Sequence, residues 1–170
     1  MTADDLHFST MRAEDLDAVM EVERSCFADP WTPGLFLHEL KIPFSRIVLV
    51  RWRNASGELL GYLCRWLVGD EVHILNIAVR PEWRGRGIGR ALVELLLREA
   101  DERGATMITL EVRRGNAEAI GLYGSFGFRE TGVRRNYYGR GDDALIMTRT
   151  LQHGAGPVAE TSSALPVRGD

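Results

Sequence analysis

The sequence predicts an α/β (α+β) domain: a mixed, mostly antiparallel sheet of about seven strands with flanking helices. Three observations predict it. Strand-like runs follow one another from Arg46 to Val79 with only short turns between them. A strand then enters a glycine-rich turn, a long amphipathic helix and another strand, which is a β-α-β passage. Hydrophobic residues make up 45% and charged residues 26% of the 170, the balance of one compact globular domain.

The elements follow in order. His7 to Arg12 reads as a short first strand. Glu14 to Phe27 carries Leu16, Val19, Met20 and Val22 at helical spacing, with acids near its start. Thr32 is placed to cap a second helix with Pro33 at its first position, and Phe36, Leu37 and Leu40 would form its apolar face. Arg46 to Arg53, Leu59 to Val68 and Glu71 to Val79 read as three strands. Turn chemistry at Asn54–Gly57 and at Gly69-Asp70 makes them hairpin-connected and antiparallel. Ile88 to Arg103 is an amphipathic helix closed by Gly104. Met107 to Val112 is a strand, Asn116 to Phe126 a helix with Gly127 as its C-cap, and Phe128 to Arg134 and Ala144 to Leu151 are the last strands. The β-α-β passage requires one parallel pair inside the otherwise antiparallel sheet.

Composition narrows the function classes. The formal net charge is −3, without the basic footprint of a nucleic-acid-binding domain. Lys41 is the only lysine, so nearly all positive charge is arginine. Cys26 and Cys64 form no CxxC pair or Cys/His cluster, which speaks against a disulfide framework or a metal site. The first ten residues have acids at Asp4 and Asp5 and no apolar core of a signal peptide, and no apolar run is long enough to span a bilayer. The expectation is a cytoplasmic protein without a membrane partner. The domain is expected over residues 1–151. Residues 152–170, rich in Gly, Ala, Pro and Ser, are expected to be a disordered tail.

The stretch from Asn76 to Arg90 carries the chemistry. A strand ending Ile77-Ala78-Val79 runs into Arg84-Gly85-Arg86-Gly87-Ile88-Gly89-Arg90, and a helix starts at once. Such a turn aims several backbone N–H groups at one spot, at the positive end of a helix dipole. Glycines allow close approach and φ > 0. Arg84, Arg86 and Arg90 add positive side chains, so the natural ligand is a diphosphate. A Walker A loop needs a lysine that is absent here. The spacing of Gly85, Gly87 and Gly89 also departs from the dinucleotide-binding fingerprint GxGxxG.

These residues carry a resemblance. Arg84-x-x-Gly87-x-Gly89 resembles the acetyl-CoA diphosphate loop of the GNAT acetyltransferase superfamily, whose pattern is Arg/Gln-x-x-Gly-x-Gly/Ala. Asn116-Ala-Glu-Ala-Ile-Gly-Leu-Tyr123-Gly-Ser-Phe-Gly127-Phe128 is similar to its second signature, Asn-x-x-Ala-x-x-Leu-Tyr-x-x-x-Gly-Phe. Asp29-Pro30-Trp31-Thr32, Leu110-Glu111-Val112-Arg113 and Arg134-Arg135-Asn136-Tyr137-Tyr138 are similar to the branch that acetylates the N-terminal alanine of a small-subunit ribosomal protein. The likeness runs from Phe8 to Leu151. The chain departs from the pattern at Gly121 and Gly124, where the family usually carries larger residues. The resemblance implies the GNAT fold with its sheet splayed in the middle, and acetyl-CoA as cosubstrate without a metal.

It also implies roles. Ile77, Ala78 and Val79 would hold the pantetheine arm by their main chain, and residues 84–90 the diphosphate. Glu111 would be the base that takes a proton from the acceptor amine. The competing reading of Glu111 is an acid paired with Arg113 on the same strand face. Tyr123 would donate a proton to the leaving thiolate. Main-chain N–H groups near Ala78 and Val79 would polarise the acetyl carbonyl. Asn116 would cap its helix and touch the cofactor arm. Pro30, Trp31, Tyr137 and Tyr138 are candidate walls of a peptide slot. An α-amine has a pKa of about 7.7–8.0 against about 10.4 for lysine, so a modest base suits an N-terminal acceptor. Lysine side chains or small amines, and a CoA-binding regulator without turnover, stay open as alternatives.

Overall fold

The computed structural model describes residues 5–53 and 57–152. Seven strands form one sheet in the order β1-β2-β3-β4-β5-β7-β6. They are β1 (Leu6–Thr10), β2 (Ser45–Trp52), β3 (Leu59–Val68), β4 (Glu71–Val79), β5 (Met107–Arg113), β6 (Arg129–Gly139) and β7 (Asp142–Thr150). The helices are α1 (Leu16–Cys26), α2 (Pro33–Glu39), α3 (Ile88–Glu102) and α4 (Ala117–Ser125). The expected order of elements is the order found. All pairings are antiparallel except β4 with β5. The turn expected at Asn54–Gly57 lies mostly outside the described residues, and so does the tail beyond residue 152.

Several boundaries follow local chemistry. Thr32 Oγ1 accepts from the Leu35 N–H at 3.3 Å, and Pro33 opens α2 as expected. α1 begins later than its acidic start suggested, because Ala13–Asp15 form a 3-10 turn first. On α2 the apolar face is narrower than the sequence implied: Phe36 is fully buried, but Leu37 is 37% exposed. A seven-residue helix covers the sheet with about one side chain per turn, and here Glu39 takes the next buried position. β6 runs five residues further than expected, to Gly139, so Tyr137 and Tyr138 stand on a strand.

The sheet is packed on both faces. On one face Leu63, Val72, Ile74, Ile108 and Leu110 meet Ile88, Leu92 and Leu96 of α3, and Tyr123 and Phe128 extend this cluster. On the other, Ile47, Leu49, Tyr62 and Cys64 meet Val19, Met20 and Val22 of α1 and Phe36 of α2. The β3–β4 register slips between Cys64 and Arg65, opposite Asn76 and Ile74, which leaves Leu75 as an extra residue in β4. That bulge resets the alternation. Val72 and Ile74 before it, and Ile77 and Val79 after it, all serve the cluster under α3.

Candidate active site

The sheet divides at the bulge. β4 and β5 pair only from Glu71–Ile74 to Met107–Leu110. Beyond Ile74, β4 stays with β3 as far as Val79, and beyond Leu110, β5 stays with β7 as far as Arg113. The edge of Leu75–Val79 that faces β5 therefore has no strand partner, and Glu111 is the first residue past the parting on the other side. This is the splay that the resemblance implied. Gly61 on β3 lies close behind the open segment. A Cβ there would run into the Ala78 carbonyl oxygen, so only glycine lets β3 approach β4 this closely.

The glycine-rich turn sits at the open end. Gly85 (φ 71°) and Gly87 (φ 83°) are left-handed, and Gly87 is the N-cap of the 15-residue α3. Gly87 has no side chain to cap the helix, so the first-turn N–H groups of Ile88, Gly89 and Arg90 are left for an anion. Gly89 packs so closely that a Cβ would come within 3.3 Å of Leu122 on α4. The arginines are held around the turn. Arg84 Nε donates to the Val79 carbonyl at 3.2 Å, Arg86 lies over Trp83 at 4.7 Å, and Arg90 lies over Phe126 at 4.7 Å with a hydrogen bond to Ser125. The backbone itself fits a diphosphate here, with two left-handed glycines and a helix start that has no side-chain cap.

Glu111 points away from α3, to the face that α1 and α2 only half cover. Its carboxylate is 10% exposed, with His73 Nε2 at 2.8 Å on Oε2 and Arg134 Nη2 at 3.3 Å on Oε1. The histidine hydrogen bond holds its pKa below the ordinary carboxylate value against the opposing effect of burial, and the Arg134 charge adds to this. The competing reading, pairing with Arg113, is wrong. Arg113 pairs with Asp142 and lies over the Tyr138 ring at 4.3 Å. His73 gave no signal in the sequence, because only the parallel register of β4 on β5 brings it to Glu111.

Tyr123 is on the opposite face, on α4. It is 3% exposed and packs on Phe128 with ring centroids 5.6 Å apart. Burial pushes its phenol well above the ordinary value, with a smaller effect from Tyr138. Asn116 caps α4, its Oδ1 accepting from the Ala119 N–H at 3.1 Å. Glu111 and Tyr123 thus sit on opposite faces of the sheet, Glu111 at the parting of β4 and β5 and Tyr123 in the cluster under α3.

The candidate peptide walls lie on Glu111's side. Tyr137 and Tyr138 meet edge to face at 5.0 Å, and the Tyr138 hydroxyl reaches the Glu111 carbonyl at 3.5 Å. Trp31 follows Pro30 on the loop between α1 and α2, with its ring 5.4 Å from Phe36. A polar cluster that sequence reasoning missed lies beneath it. Glu23, 1% exposed, accepts from the Trp31 N–H at 2.8 Å and from the Tyr62 hydroxyl, and Asn76 Nδ2 donates to Tyr62 at 2.7 Å. The available signal was a glutamate beside Val19, Met20 and Val22 on the apolar stripe of α1. Cys64 is buried in the core, while Cys26 is half-buried and donates to the Val79 carbonyl at 3.2 Å.

A parted mixed sheet, a glycine-rich turn into a helix at one strand's end and an acid at the next strand's parting define an acyltransferase of the coenzyme A-dependent kind. Residues 16–128 match the Acetyltransferase (GNAT) family, and the chain belongs to that family, which uses acetyl-CoA as acetyl donor. A Bacillus subtilis relative is 42% identical over 143 residues, 83% of this chain and 93% of its own. The N-alpha-acetyltransferase RimI of Mycobacterium tuberculosis is 38% identical over 158 residues, 88% of this chain and 96% of its own. The crystal structure of the ribosomal-protein-S18-alanine N-acetyltransferase from Escherichia coli superposes with a TM-score of 0.81 at 33% identity, covering 91% of this chain and 99% of that one. No helix among the described residues is long and apolar enough to cross a membrane.

Proposed function

We propose that the chain acetylates the α-amine of a protein that begins with alanine, a ribosomal protein as in the Escherichia coli relative. The observation that carries the reading is the position of Glu111, at the parting of β4 and β5 and beside Tyr138. Acetyl-CoA supplies an acetyl group activated as a thioester. In this reading the N–H groups of residues 85–90, with Arg84, Arg86 and Arg90, hold its diphosphate. The free edge of Ile77–Val79 holds the arm, and N–H groups near Ala78 and Val79 polarise the carbonyl.

Glu111 takes the proton from the acceptor ammonium, directly or through water. Its lowered pKa makes it a modest base, which is enough for an α-amine. At pH 7 about a tenth of such amines are already neutral, against well under a thousandth of lysine side chains. Tyr123 carries its phenolic proton at neutral pH, as any tyrosine does, and gives it to the departing sulfur. Asn116 holds the start of α4 and with it Tyr123. Pro30, Trp31, Tyr137 and Tyr138 form the walls of the peptide slot, and holding the two substrates side by side supplies the orientation.

The test is mass spectrometry of acceptors incubated with the protein and acetyl-CoA. The panel holds peptides with a free N-terminal alanine, the same peptides blocked at the α-amine but carrying lysine, and polyamines. The expected result is one acetyl group on the α-amine of the alanine peptides. Acetylation confined to lysine or polyamines would replace the reading with another acceptor class, and binding without turnover would replace it with a CoA-binding regulator.

A further inference from the structure

Glu23 is a buried carboxylate for which the chemistry above has no use. It sits on α1 among Val19, Met20 and Val22, and among the described residues it has no ion pair. Its donors are a phenol, a carboxamide and a main-chain N–H: Tyr62 on β3, Asn76 Nδ2 at 3.4 Å on β4, and Trp31 at 2.8 Å on the α1–α2 loop. Burial raises its pKa and the hydrogen bonds oppose that. An uncompensated buried carboxylate is costly, and an apolar residue of similar size would serve the core at least as well. The position therefore calls for an account beyond packing.

The partners supply one. The three donors come from three elements, and together they close a ring through the interior. The Trp31 ring lies on Phe36 at 5.4 Å, Phe36 meets Tyr62 edge to face at 5.5 Å, and the Tyr62 hydroxyl returns to Glu23, whose other oxygen holds the Trp31 main chain. Asn76 ties the ring to β4 just past the bulge, two residues before Ala78. Cys26, one turn further along α1, is bonded to the Val79 carbonyl and fixes the same helix to the same strand segment. The wall of the proposed peptide slot is thus braced, through one carboxylate, against the strand proposed to present the acetyl group.

We infer that Glu23 is a positioning residue for the acceptor, setting the distance between the Trp31 side of the peptide slot and the open edge of β4. The inference rests on the proposed slot and extends it. Glu23 touches neither substrate; it acts through the main chain of Trp31. Loss of its carboxylate loosens the loop that meets the peptide and spares the start of α3, which packs on the opposite face of the sheet.

The test measures KM for acceptor and for acetyl-CoA separately in Glu23→Ala, Glu23→Gln and Tyr62→Phe, with CoA affinity by calorimetry. Glu23→Ala is expected to raise the acceptor KM by about tenfold, the value of one lost hydrogen bond to a charged group. Its acetyl-CoA KM and CoA affinity stay within about twofold. Glu23→Gln restores the acceptor KM to within about threefold, because an amide oxygen still accepts from the Trp31 N–H. Equal rises in both KM values, an unchanged acceptor KM in Glu23→Ala, or a glutamine variant no better than alanine would overturn the inference. Should Glu23→Ala not fold, Tyr62→Phe decides, since it keeps the aromatic ring and removes one donor. An acceptor KM unchanged there, or rising together with that for acetyl-CoA, overturns it equally. If the wild-type protein turns over an amine other than an alanine N-terminus, the same comparison is made with that amine, so the acceptor class and the role of Glu23 are judged by separate results.

Discussion

Glu111 and Tyr123 carry opposite pKa shifts, which hold the carboxylate ionised and the phenol protonated. Burial makes the phenol a weaker acid than a free tyrosine, so its proposed donation to the departing thiolate has to come from close placement at the sulfur and not from the shift. Tyr123→Phe keeps the packing on Phe128 and removes only the proton. It is expected to lower kcat at least about tenfold with CoA affinity nearly unchanged; an unaltered kcat in steady-state assays would remove Tyr123 from this role. Glu111 is held ionised chiefly by His73. His73→Ala withdraws that hydrogen bond and lets the Glu111 pKa rise. As a base Glu111 works only when ionised, so the acidic limb of kcat against pH moves to higher pH. The sign is the same for stability. A carboxylate with a depressed folded pKa stabilises the fold above its unfolded value and loses that contribution as pH falls through the folded value, so the variant also loses its margin of acid stability sooner. An acidic limb that does not move would show that His73 does not govern Glu111. Both residues were singled out in the sequence, Tyr123 by the signature from Asn116 to Phe128 and Glu111 by the Leu110–Arg113 likeness. His73, Arg134 and Glu23 were not, because their meaning depends on which strands lie side by side.

The elements were more legible than their edges. Periodicity located four helices and seven strands, and Thr32, Asn116, Gly104 and Gly127 marked helix ends as expected. The extra length of β6 was hidden. Its side chains are exposed along almost the whole strand, so no apolar alternation announces it, and pairing with β7 alone holds it. The Leu75 bulge was hidden too, since one unpaired residue leaves no mark on composition. α4 poses the opposite case: two glycines, Gly121 and Gly124, sit inside a nine-residue helix that forms nonetheless. Both are exposed, have ordinary helical backbone and have open space where a Cβ would stand. Alanine at either position should therefore stabilise the protein by up to about 1 kcal/mol, raising Tm by about 2–4 °C in thermal melts. A fall in Tm would mean that this face of α4 meets something an added methyl group obstructs.

At the scale of the whole molecule, the fold is a sheet interrupted once. Antiparallel pairing holds β1 to β4 on one side and β5 to β7 on the other, and four residue pairs of parallel ladder join the halves. The edge of β4 that has no strand partner and the start of α3 that has no side-chain cap both lie at the open end. Backbone groups left without partners inside a fold cost stability unless a ligand meets them. A ligand that bridges the parting binds only the folded chain, so it must raise the melting temperature. At a CoA concentration of about 100 times Kd the linkage is worth about 2.7 kcal/mol. For a chain of this size that is a rise in Tm of about 5–10 °C. Gly87→Val forces a β-branched residue into a left-handed conformation (φ 83°) at the centre of the turn. The variant should melt lower without ligand and should also lose most of the ligand-induced rise, which separates damage to the site from damage to the fold. Differential scanning calorimetry of both proteins with and without CoA measures this. A rise of the same size in Gly87→Val would place the coenzyme somewhere other than the start of α3.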